Sequence, residues 1–159
     1  MKIDANGTHE PFLIDFDFAK DVDRDSSDAH IKTHRTMSTP FLAIDLLSDP
    51  PPPALYHHDL ESFVWCLWWI AVSYRNGEQI DTHELDDWSN GKWARIRTNK
   101  IGVMQPWAVG ISPITINMEP ARPILQRLTR LFQTAYLQHS TQEIITNETF
   151  QECLDSKVD

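Results

Sequence analysis

Residues Asp59 to Tyr74 read DLESFVWCLWWIAVSY, and the fold turns on how that stretch is interpreted. From Phe63 to Val72 it holds no charged residue, no glycine and no proline. Trp65, Trp68 and Trp69 point in different directions on a helical wheel. A helix that is apolar all round is one buried on every side. A membrane span is the rival reading, but the uncharged run is well short of the roughly 20 apolar residues needed to cross a bilayer. Buried strands also give continuous apolar runs, so periodicity alone does not decide. Length favours helix, and Asp59 and Glu61 at the start suit the positive end of the helix dipole. The expectation is a central helix over 59–74, enclosed by a mainly α domain.

The rest of the chain allows such a domain. Its 159 residues suffice for one hydrophobic core, and 41% hydrophobic and 10% aromatic content are globular values. A formal charge of −9 speaks against non-specific binding to nucleic acid or to an anionic membrane, since both require a basic face. Cys66 and Cys153 fit neither a disulfide framework nor a metal spacing, and read as small buried hydrophobes of a reducing compartment. MKIDANGTHE has no apolar signal-peptide core, so an intracellular protein, cytoplasmic or nuclear, is expected.

In chain order, residues 1–15 read as a small β-hairpin. Asp4-Ala5-Asn6-Gly7 supplies the turn, and Phe12-Leu13-Ile14 is an apolar run of strand type. Residues 17–36 are polar and charged without periodicity, as in a long exposed loop. Ser38 to Leu47 is apolar and closes with a short helix, which Asp49 and Pro50 to Pro53 terminate. After the central helix, Asn76-Gly77 is a turn. Glu84 to Lys100 reads as one broken or two short helices, with Thr82 as a cap, and residues 101–121 read as a long connection. Arg122 to Gln138 is plainly amphipathic: Leu125, Leu128, Leu131, Phe132 and Ala135 fall on one face, with Arg127, Arg130 and Gln133 outward. A last short helix follows Asn147, a good N-cap residue.

Three segments, in order, resemble the C-terminal lobe of a protein kinase. Phe12 to Lys20, FLIDFDFAK, resembles the strand and Asp-Phe-Gly motif before an activation loop, with Asp17 in place of glycine. Thr39-Pro40-Phe41-Leu42-Ala43-Ile44-Asp45 resembles the substrate-docking loop and Ala-Pro-Glu motif. Asp59-Leu60-Glu61-Ser62-Phe63 resembles the start of the buried central helix of that lobe. The wording is most similar to the fungal-type protein kinases, a divergent kinase-like family with a DFD-like motif, a TPFMAIELL-like segment and HDLESF before a Trp-rich helix.

The resemblance implies a partial kinase-like domain: hairpin 1–15, activation-loop-like segment 16–47, central helix 59–74 and remaining C-lobe helices over 84–155. It implies ATP and Mg²⁺ as cofactors of the complete domain, with Asp15 as the carboxylate that holds the metal against the phosphates. Asp45 would pair with a later arginine, Arg127 or Arg130, and Asp59 would brace the catalytic-loop backbone. Ser26, Ser27, Thr33, Thr36 and Thr39 are loop hydroxyls, of which Thr36 and Thr39 are the phosphosite candidates.

No glycine-rich loop, strand lysine or His-Arg-Asp catalytic loop occurs in the sequence. Phosphoryl transfer needs several such groups together, and no residue here is assigned a catalytic role. The expectation is a Ser/Thr kinase fragment, inactive as this chain and with no cofactor bound. The alternative is a pseudokinase-like protein-interaction module. Either way the partner is a protein, as substrate or as binding partner, and neither nucleic acid nor membrane. His57-His58-Asp59 could pass for a metal cluster, but adjacent side chains are expected to diverge, and no third ligand is spaced to join them.

Overall fold

A computed structural model of the chain describes residues 2–3, 9–10, 39–82, 85–89, 91–105 and 114–155. The chain divides into two compact units, Met1–Ile31 and Lys32–Asp159. In the first unit, β1 (Lys2–Ile3) and β2 (His9–Glu10) pair antiparallel, with Lys2 opposite Glu10 and Ile3 opposite His9. The expected hairpin is present, but its described second strand is His9–Glu10. The apolar run at Phe12 lies outside the described residues.

The second unit is helical and is built around α1, Tyr56–Ser73. The helix begins three residues before Asp59 because the entry is capped reciprocally. The His58 N–H donates to the Leu55 carbonyl at 2.9 Å, and the Leu55 N–H donates to His58 Nδ1 at 3.0 Å. At its far end α1 runs into β3 (Tyr74–Arg75), which pairs antiparallel with β4 (Glu78–Gln79). The tight turn between them takes Asn76 at φ 53° and Gly77 at φ 82°. Two consecutive left-handed residues favour Asn-Gly here, as the sequence indicated.

Two 3-10 turns, Thr39–Phe41 and Asp45–Leu47, replace the expected short helix before the prolines. The segment 84–100 becomes α2 (Asp86–Ser89) and α3 (Trp93–Val103). Within the expected connection, α3 continues to Val103, and a 3-10 helix covers Ile116–Ala121. The amphipathic helix is α4, Arg122–Leu137, followed by α5 (Thr141–Ile144) and α6 (Asn147–Asp155). Thr146, not Asn147, caps α6. Its Oγ1 accepts the Thr149 N–H at 3.3 Å, while the Thr149 hydroxyl accepts the Thr146 N–H at 3.0 Å.

The core lies between α1 and α4. Trp65, Trp68, Ala71 and Val72 of α1 meet Leu125, Leu128, Phe132 and Ala135 of α4, all buried. Trp68 Nε1 donates to Thr129 Oγ1 at 3.3 Å, giving the indole its polar partner. Trp88 packs edge-on against Trp65, with ring centroids 5.2 Å apart. A smaller cluster joins Leu42, Ala43, Leu46 and Leu47 to Ile96 of α3.

One expectation fails here. The central helix is not enclosed on every side: Tyr56, Phe63 and Ile70, spaced by seven residues along one line, are 50%, 58% and 45% exposed. An apolar residue needs no neighbour to tolerate water, so composition alone could not tell a covered face from a bare one. Among the described residues, no helix is long and apolar enough to cross a membrane.

Candidate functional site

The segment 39–47, which carries the two 3-10 turns, is tied to the helical body by polar groups buried in the core. Glu61 sits one turn into α1 and is fully buried. Its Oε1 accepts the Ile44 N–H and the Trp65 indole N–H, each at 2.9 Å, and its Oε2 accepts the Tyr136 hydroxyl at 2.5 Å. Lys100 of α3 reaches in from the other side, equally buried, and donates to the Leu42 carbonyl at 2.5 Å. Its ammonium lies over the Trp65 and Trp88 rings, 4.8 and 5.5 Å from their centroids. One carboxylate and one ammonium thus hold the backbone at 42–44 from opposite sides.

Burial sets the electrostatics. It pushes the Glu61 carboxyl up and the Lys100 ammonium down, against their mutual attraction and, for Glu61, against its three donors. Tyr136 is raised strongly, first by burial and then by the carboxylates of Glu61 and Asp45. Its hydroxyl therefore stays a donor to Glu61.

Asp45 opens the second 3-10 turn and is half-buried. Desolvation raises its carboxyl, partly offset by the attraction of Arg97 and of His57 in its protonated form. The arginine acting on it is Arg97 of α3, neither Arg127 nor Arg130. Arg127 turns instead to α6, donating Nε–H to the Cys153 carbonyl at 2.9 Å, and Arg130 is exposed. Both sit on α4, whereas α3 packs directly beside the 45–47 turn. Arg97 Nε is buried without a hydrogen-bond partner among the described residues. A cleft of about 450 Å³ opens next to it, lined by Asp45, Arg97, Gln105, Gln133, Tyr136 and His139 among others.

The first turn of α1 brings a further group together. His57 and His58 are buried, with ring centroids 4.0 Å apart. Asp45 joins them, one ligand atom from each of the three lying within 4.8 Å of the others. The expected divergence of the two imidazoles does not occur, and the third acid is Asp45 rather than Asp59. Burial lowers both histidines, His58 to about 4, so both rings are neutral at pH 7.

Of the sequence-derived site residues, Thr39, Asp45 and Asp59 are among the described ones. Asp15 and Thr36 lie outside the described residues, as do Ser26, Ser27 and Thr33. Thr39 is half-buried, and its carbonyl accepts the Leu42 N–H at 3.3 Å. Asp59 is exposed and has no hydrogen-bond partner among the described residues. Glu61, read in the sequence as an acid suited to the helix dipole, proves to be the buried centre, and Lys100 and Tyr136 carried no signal as its neighbours. The available clue was a carboxylate one turn into an apolar run, since a buried charge demands donors.

Residues 1–71 match the model of the family described as fungal protein kinase. The match takes in the DFD-like motif, the TPFLAID segment and HDLESF, and ends within α1. Over that stretch the chain is similar to the fungal protein kinases. No curated protein and no solved structure matches the chain.

Proposed function

We propose that the chain is the C-terminal-lobe part of a fungal-type Ser/Thr protein kinase, acting in ATP-dependent phosphoryl transfer only together with the lobe and catalytic loop that its sequence lacks. The observation that supports this reading is the family match over residues 1–71, together with the way the docking-type segment 39–45 is pinned onto the helical body, by Glu61 of the HDLESF helix and by Lys100. A docking segment has to hold its shape while a substrate binds, and buried backbone anchors supply that rigidity. In this reading Asp15 holds Mg²⁺ against the ATP phosphates, Asp59 awaits the catalytic-loop backbone, and phosphorylation at Thr36 or Thr39 orders the loop.

The experiment captures the native protein with an antibody against residues 122–138, then measures its mass and its transfer of the ATP γ-phosphate with Mg²⁺. A product longer than 159 residues that transfers phosphate, and loses transfer on Asp15→Asn, is the expected result. A product of this length without transfer, or a longer one whose transfer survives Asp15→Asn, overturns it. A second reading, a pseudokinase-like interaction module, draws on the exposed line of Tyr56, Phe63 and Ile70. Stable association with another protein, lost on Phe63→Ser, would distinguish it.

A further inference from the structure

We propose that Asp45, His57 and His58 form a binding site for one divalent transition-metal ion of the zinc class, with water completing the coordination. Three protein ligands plus water is a common arrangement for zinc outside closed structural sites. With bonds of about 2.0–2.2 Å, the ligand atoms of a tetrahedral ion stand about 3.4 Å apart, so closure needs movements of about 1.4 Å or less. The three atoms already lie within 4.8 Å of one another. Two imidazoles and one carboxylate suit zinc, cobalt, nickel or copper, whereas magnesium and calcium want oxygen ligands.

The site is held by ordered elements. His57 and His58 are 4% and 2% exposed on the first turn of α1. Asp45 follows Ile44, whose N–H is fixed by the buried Glu61 carboxylate. Exposed acids that gather by chance have no such support. Two features oppose a cation, the positive end of α1 and the Arg97 charge near Asp45. The Asp45 carboxylate offsets them.

His58 adds a specific signature. Its Nδ1 accepts the Leu55 N–H, so the neutral ring carries its proton on Nε2. Either nitrogen releases the Leu55 hydrogen bond on binding the ion: Nδ1 gives its lone pair to the metal, or Nε2 does so once its proton has moved to Nδ1, and the ring keeps one proton throughout.

The test titrates the full chain with Co²⁺, read by its visible d–d absorption, and with Zn²⁺ in competition. One ion per chain is expected, with affinity falling at least about tenfold in Asp45→Asn and in His57→Asn. Nuclear magnetic resonance should show the Leu55 amide moving as the ion saturates. Unchanged binding in both variants would assign the ion to histidines elsewhere and overturn the proposal. A Leu55 amide that stays put at saturation would also overturn it. That readout uses the unaltered protein, so it decides even where a variant fails to fold.

Discussion

The Glu61 carboxylate and the Ile44 N–H meet at 2.9 Å in the core, seventeen residues apart in the chain. Helix α1 and the 39–47 segment are thereby locked through a group that burial would rather neutralise. Replacing Glu61 with Leu leaves the Ile44 N–H, the Trp65 indole and the Tyr136 hydroxyl without their acceptor. A loss of at least about 3 kcal/mol is expected, since each orphaned donor costs about 1–3 kcal/mol. Urea denaturation measures it, and a loss under about 1 kcal/mol would remove Glu61 from the centre of this description.

Stability should depend on pH through the same group. Burial raises Glu61 from 4.5 to about 7. A raised acid stabilises the fold fully below its unfolded value and loses that contribution as pH rises through its folded value. Glu61 therefore tilts stability downward between those two values, by at most about 1.4 kcal/mol per pH unit. Lys100, lowered from 10.5 to about 7, contributes fully above its unfolded value and loses that contribution as pH falls through its folded one. The comparison to make is between the native chain and Glu61→Gln from pH 4.5 to 7, because His57 and His58 titrate there with opposite sign. Parallel curves would show that Glu61 does not titrate in this range.

Glu61 and Lys100 should act as a coupled pair although they bond to different carbonyl and amide groups. Both grip residues 42–44, and each shifts the other's ionisation. A double-mutant cycle with Glu61→Gln and Lys100→Met is expected to give an interaction energy above about 0.5 kcal/mol. Additive losses would mean that the two anchors hold the segment independently.

Phe132 is fully buried on the face of α4 that meets α1. Truncation to Ala opens a cavity between the two helices and should cost about 3–5 kcal/mol in chemical denaturation. A smaller loss would show that α1 and α4 close over the gap.

Much of the helical framework was legible in local pattern. The apolar run at 63–72 marked the central helix, the i, i+3, i+4 spacing from Leu125 to Ala135 marked α4, and Asn76-Gly77 marked its turn. These features depend on neighbours within a few residues, which a sequence displays directly. The helix starts were less legible. Leu55 and His58 cap α1, and Thr146 with Thr149 caps α6, through side-chain bonds that several residue types could have made.

By itself the sequence determined a mainly helical chain with a central apolar helix, and showed three motifs in the order found in fungal-type kinases. Tertiary structure alone decided which polar residues met. Glu61 lies 39 positions from Lys100 and 75 from Tyr136, yet packing joins them around residues 42–44. It also sent Arg97 rather than Arg127 towards Asp45, and Asp45 rather than Asp59 towards the two histidines. Burial then fixed their ionisation. Pattern along a chain reports which face of an element is apolar, but partners across the core are chosen by the docking of helices.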